Sequence, residues 1–114
     1  MEMTKNDFIE KVFDYEKEND WKFKGDKPCL IDCHALWCRP CLAMTPILEE
    51  LSDEYKGKVD IYKVDVDEEN EIAALFNVQS IPTFIFIPKN SEPIVTQGAL
   101  PKSALRKIIE EHLL

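Results

Sequence analysis

The sequence predicts an α/β domain, a central mixed β-sheet flanked by helices on both faces. Two observations carry this. Apolar, strand-like runs at 29–35 and 59–64 bracket a helix-period stripe at 41–55, the spacing of a parallel βαβ unit with a right-handed crossover. A proline-led run at 80–87 is followed, after a short connection, by 94–97, the pattern of an antiparallel pair.

Taken in order, Phe8, Ile9, Val12 and Phe13 lie on one helical stripe after Thr4-Lys-Asn-Asp7, a helix-start signal, and predict a packing helix over 4–16. Trp21 and Phe23 stand in a polar stretch that ends in the Gly25–Pro28 turn. The run 29–35 reads as a central strand covered on both faces. Cys41, Met44, Leu48, Leu51 and Tyr55 then form the apolar stripe of a helix, with Pro46 expected to kink it and Gly57 to close it. Residues 59–64 are rich in β-branched and aromatic side chains and read as a strand. Asp65, Asp67, Glu68 and Glu69 form an acidic loop suited to the positive start of a helix carrying Ile72, Leu75 and Phe76. Leu105, Ile108, Ile109 and Leu113 mark a last helix with Pro101 near its first turn.

At 114 residues the chain is long enough for one domain with a real core, and no linker or repeat divides it. A formal charge of −8 argues against nucleic acid or anionic lipid as a partner, since both need a basic face. No apolar stretch approaches the roughly 20 residues that span a bilayer, and the N-terminus lacks the apolar segment of a secretory signal.

Chemistry concentrates in Trp37-Cys38-Arg39-Pro40-Cys41, at the junction of the first strand and its helix. Two cysteines three positions apart share one side of a first helical turn, close enough for a small disulfide ring. Unpaired N–H groups and the positive end of the peptide dipoles stabilise a thiolate there. Pro40 suits an early helical position, which has no use for its N–H. The local reading is a reversible dithiol/disulfide pair.

The other two cysteines, Cys29 and Cys33, would stand ~13 Å apart along a strand, too far to bond to each other. Zinc is disfavoured because its tetrahedral ligands normally converge from separate turns, so no metal ligand is assigned. Cys29 and Cys33 read as buried thiols that pack as small hydrophobes.

Asp32 lies in the middle of the strand. Buried there, it would lose hydration and titrate nearer neutrality, as a proton acceptor for a nearby thiol; at a frayed strand it would be an ordinary exposed acid. Lys63 shares a side of its strand with Val59 and Ile61, so it either turns inward to Asp32 or snorkels to water. His34 reads as a packed, hydrogen-bonded imidazole or as a second titrating group near the thiols.

The ordered set Asp32, Trp37-Cys38-x-Pro40-Cys41, Pro46, Lys63 and Asp65, Ile81-Pro82-Thr83 and Gly98-Ala99 resembles the thioredoxin family from about Pro28 to the C-terminus. Residues 1–27, a helix and linker, are less typical, and the family's usual first strand is expected to be short or replaced by the Trp21–Phe23 stretch. The resemblance implies Cys38 as the exposed attacking thiol, Cys41 as the shielded resolving thiol, and Asp32 as the group assisting proton removal from Cys41, tuned by Lys63. It implies a cis Pro82, and a flat apolar rim of Trp37, Ile81, Pro82, Gly98 and Ala99 that receives extended disulfide segments, with Arg39 and Pro40 beside it. It also implies a monomeric, cytoplasmic protein-disulfide reductase with no cofactor beyond its redox disulfide. A thioredoxin reductase would recharge it, and disulfide-containing proteins would be its clients. Two other readings remain at this point, a disulfide oxidase or isomerase and a binding module on the same fold.

The sequence departs from the family in three places. Arg39 stands where glycine is usual, Leu42 replaces a basic residue that often follows the second cysteine, and His34 takes a position often held by a large aromatic.

Overall fold

The computed structural model describes residues 2–114. Its elements run α1 (Lys5–Lys11), β1 (Cys29–His34), α2 (Arg39–Glu54), β2 (Asp60–Asp65), α3 (Asn70–Leu75), β3 (Thr83–Ile87), β4 (Ile94–Gln97) and α4 (Lys102–Ile108), which continues into a π-helical turn, Ile109–Leu113. The strands form one mixed sheet in the order β2-β1-β3-β4. β1 pairs parallel with β2 and antiparallel with β3, and β3 pairs antiparallel with β4.

Strand alternation divides the core into two layers. Cys29, Ile31 and Cys33 of β1 pack on one side of the sheet with Phe8 and Val12 from the α1 region and Ile72 of α3. Leu30 points the other way, into a layer with Met44, Leu48 and Leu51 of α2 and Leu105 of α4. All six residues of β1 are buried, as a strand covered on both faces requires. Lys102 on α4 reaches Glu50 and Glu54 on α2, each at 2.7 Å, and Arg106 reaches Glu54 at 2.8 Å. These pairs are exposed, so packing rather than charge holds the two helices together.

The N-terminal helix starts where expected but stops early. Thr4 Oγ1 accepts from the Asp7 N–H at 3.2 Å while Asp7 Oδ2 accepts from the Thr4 N–H at 3.1 Å, a reciprocal cap. The Val12 carbonyl, which a longer helix would give to residue 16, instead accepts from the Lys24 N–H at 2.8 Å. The intervening chain folds back, and the Trp21 ring lies 4.8 Å from that of Phe13.

Trp21 and Phe23 therefore pack as side chains against the core and form no strand. The other expectation, a short first element, is met by a single parallel bridge from Glu2 to Lys63 on the outer edge of β2. The Met3 N–H donates to the Lys63 carbonyl at 2.7 Å, and the buried Met3 side chain anchors this contact.

Two further expectations are corrected. Of the α3 stripe only Ile72 is fully buried, Phe76 is half-buried, and Leu75 faces solvent. The last helix widens into the π-helical turn, which keeps Ile109 and Leu113 in the layer with Leu105. Gly57, just past α2, has φ +84°, a conformation that favours glycine.

Candidate active site

β1 ends at His34, and four residues later Cys38 caps the N-terminus of α2 in an extended conformation. Cys38 and Cys41 are joined in a disulfide with their Cα atoms 5.3 Å apart. Cys38 Sγ also accepts the Cys41 N–H at 3.2 Å, so one of the free donors of the first turn is aimed at this sulfur. Arg39 and Pro40 open the helix and are exposed.

The expected contrast in exposure between the two cysteines is absent. In the disulfide Cys38 is 4% exposed and Cys41 3%. Position distinguishes them instead, because Cys38 lines the adjoining cavity of about 490 Å³ and Cys41 does not. Cys38 packs with Ala35 and Cys41, beside Val66 and Ile81, which accounts for its cover.

Of the residues singled out from sequence, Trp37, Cys38, Arg39, Pro40 and Ile81 line that cavity together. Trp37 is 69% exposed, and its Nε1 donates to Asp67 Oδ2 at 2.8 Å, which fixes the indole as a wall. The Ile81–Pro82 peptide bond is cis. Pro82 is buried, and its carbonyl accepts from the Gly98 N–H at 2.8 Å. Gly98 has φ +94°, and Ala99 after it is exposed. Pro82, Gly98 and Ala99 thus adjoin the site without lining its cavity.

Sequence reasoning missed four other lining residues, Val66, Val78, Gln79 and Ser80. It also missed Asp67 as the anchor of Trp37, having read it as part of a solvated acidic loop. Apolar residues flanking the acidic loop and the Ile81-Pro82 pair were the available signal for Val66 and Val78.

Asp32 is on the Leu30 side of β1, beneath α2, and is 1% exposed. Neither carboxyl oxygen has a hydrogen-bond partner among the described residues. Burial pushes this carboxyl up to about 6, against smaller pulls downward from His34 and Lys63 and a push upward from Glu2. Lys63 is directly opposite Asp32 in the parallel register and is half-buried. Among the described residues the two form no ion pair, so Lys63 acts on Asp32 as a nearby charge.

His34 is buried on the same side, with Nε2 2.9 Å from Glu2 Oε1. Cys29 and Cys33 are free, buried thiols on the opposite side. Burial drives both upward, Cys33 to about 12. Among the described residues no group of three or more His, Cys, Asp or Glu side chains is placed to hold a metal.

A closed Cys-x-x-Cys ring at a helix start, over a buried acid and beside an apolar cavity, defines a thiol–disulfide oxidoreductase. The sequence profile of the family described as Thioredoxin matches residues 3–111, so the chain belongs to the thioredoxin family. It is 45% identical over 109 residues to a thioredoxin of Borreliella burgdorferi, covering 96% of this chain and 93% of that relative. It is 46% identical over 90 residues to a thioredoxin of Haemophilus influenzae, covering 78% of this chain and 83% of the relative. Among solved structures, chloroplastic thioredoxin z superposes with a TM-score of 0.79 at 26% identity, covering 96% of this chain and 90% of that one. These likenesses establish protein-disulfide reductase activity on the thioredoxin fold.

Proposed function

We propose that Cys38 is the attacking thiol of this reductase, Cys41 the resolving thiol and Asp32 the base that takes the proton from Cys41. The observation that carries this reading is the Cys41 N–H aimed at Cys38 Sγ on the wall of the cavity. A donor in that place, at the positive end of α2, stabilises a thiolate on Cys38 once the ring is open.

The reaction then has two displacements. Cys38 thiolate attacks one sulfur of the substrate disulfide; the substrate S–S bond breaks, its second sulfur leaves as a thiolate and takes a proton from solvent, and a mixed disulfide forms. Asp32 removes the Cys41 proton, and Cys41 thiolate attacks Cys38 Sγ. The Cys38–Cys41 bond forms, and the remaining substrate sulfur departs as a thiolate and is protonated. The substrate gains two electrons and two protons, and the Cys38/Cys41 dithiol loses the same.

A carboxyl at about 6 suits Asp32 to this task, being largely ionised near neutral pH yet still able to hold a proton briefly. Trp37, Arg39, Pro40 and Ile81 would form the wall along which an extended substrate segment lies, with Pro82, Gly98 and Ala99 at its edge. The whole of 1–114 works as one domain in this reading, as a monomer. Its redox disulfide serves in place of a bound cofactor, and a reductase of the thioredoxin-reductase class recharges it in the cytoplasm. Among the described residues no helix is long and apolar enough to cross a membrane.

Reduction of insulin by the wild type and by Cys38→Ser tests the assignment. The variant is expected to lose at least ~10³ in rate, and Cys41→Ser to accumulate the mixed disulfide on Cys38. A Cys38→Ser protein that still reduces insulin at the wild-type rate overturns it.

A further inference from the structure

Four charged or titratable side chains, Glu2, His34, Asp32 and Lys63, cluster on the sheet face beneath α2. Glu2 is 2.9 Å from His34, His34 is two places from Asp32 on the same side of β1, and Asp32 is register partner to Lys63. We propose that His34 is a positioning residue for the buried Asp32 carboxylate, an imidazole anchored by Glu2 that serves the carboxylate as its counter-ion. The inference rests on Asp32 being the base of the proposed reaction.

The geometry favours His34 over Lys63 for this role. Asp32 has no hydrogen-bond partner among the described residues, so its charge is answered only by groups at longer range. Lys63 is half-buried on a flexible stem that reaches water, where its field is screened. The His34 side chain is 8% exposed, has two rotatable bonds, and is pinned at Nε2. Its effect in holding the Asp32 carboxyl down is the largest of any single charge there.

The N-terminal segment supplies the pin. The buried Met3 and its hydrogen bond to Lys63 hold that segment on the edge of β2, which delivers the Glu2 carboxylate to the imidazole. The Glu2 side chain is itself 57% exposed, so solvent damps its repulsion of Asp32 while its hydrogen bond still orients the ring.

The charged and titratable groups facing His34 are Asp32 on its own strand, Lys63 and Asp65 on β2, and Glu2 on the N-terminal segment. Cys38 and Cys41 at the start of α2 join them when reduced. Asp65 Oδ1 is engaged by the Asp67 N–H at 2.9 Å.

The test follows the Asp32 carboxyl carbon by NMR in full-length, oxidised protein labelled at aspartate, where the thiols do not titrate. Wild type, His34→Gln and His34→Phe are compared, with melting temperature measured on each. Both variants are expected to raise the Asp32 midpoint by roughly half a pH unit or more. A midpoint that stays in place or falls overturns the proposal, even if the melting temperature drops, because a purely packing histidine affects stability alone. The pH–rate profile of insulin reduction is read separately. An acid limb that moves with the midpoint supports both assignments. A midpoint that rises while the limb stays still supports the counter-ion and removes Asp32 as the base.

Discussion

The two sides of β1 carry the same physical push to opposite ends. On one, Cys33 is buried among Ile31, Val64 and Ile85, and loss of hydration raises its thiol to about 12. On the other, Asp32 is buried beneath α2, and loss of hydration raises its carboxyl to about 6. Desolvation disfavours the charged form in both cases. It carries the thiol out of the physiological range and makes it inert, and it carries the carboxyl toward that range. Cys38 differs from both in place, since it lies at a helix start with an N–H on its sulfur rather than inside a strand.

The largest expected effect breaks the comparison on the Asp32 side. A carboxyl at about 6 in the folded protein and 3.8 as its ordinary value binds protons more tightly when folded. Between those limits the native state holds more protons than the unfolded one, so stability falls as pH rises. Asp32 thus costs the ionised protein about 3 kcal/mol, the cost being absent below pH 4 and complete above pH 6 to 7. Denaturant unfolding of oxidised wild type and Asp32→Asn from pH 4 to 7 measures this. The wild type is expected to lose on the order of 2–3 kcal/mol relative to the variant across that window. A difference that stays constant with pH would place the Asp32 carboxyl at its ordinary value and end the comparison.

The Cys33 side predicts a smaller effect with no chemistry in it. Cys33→Ala removes a fully buried sulfur and is expected to destabilise by about 1 kcal/mol through lost burial and an imperfectly closed space. Insulin reduction by this variant should stay within about twofold of wild type, since a thiol held near 12 supplies no thiolate at pH 7. A large loss of activity at unchanged stability would mean that Cys33 takes part in the cycle.

Much of this contrast was legible in the sequence, because it depends on local order. The run Cys29 to His34 between breakers reads as a strand covered on both faces with Asp32 in its middle, and all six of its residues are buried. The spacing of Cys38 and Cys41 with Pro40 gave the helix start and the possibility of the ring. What stayed illegible depends on contacts between distant residues. Glu2 meets His34 across 32 positions, and Trp37 meets Asp67 across 30. Neither acid has any local pattern that marks it out from its acidic neighbours. The helix over 4–16 was overextended for the same reason, since the Lys24 N–H that claims the Val12 carbonyl belongs to a later stretch of chain. The cover over Cys38 depends on Ala35 and the distant Val66 and Ile81, which no spacing around the motif reports.

Arg39 gives the smallest effect and sharpens the comparison on the thiol at the helix start. Its guanidinium adjoins Cys38 in sequence and lines the same cavity, so it favours a thiolate there over a thiol. Favouring the thiolate stabilises the reduced protein and makes the disulfide more oxidising. The side chain is exposed, however, and exposed charges interact through water at a strength of about 0–1 kcal/mol. With 30 mV equivalent to 1.4 kcal/mol for a two-electron couple, Arg39→Gly should make the potential more negative by no more than about 20 mV. Equilibration against a glutathione buffer at low and high salt reads both the shift and its screening, and the shift should shrink as salt rises. A shift of opposite sign, or one indifferent to salt, would mean that the helix start and its N–H set the Cys38 thiolate without help from the neighbouring charge. The burial side of the comparison would then stand unchanged, because neither Asp32 nor Cys33 owes its displacement to Arg39.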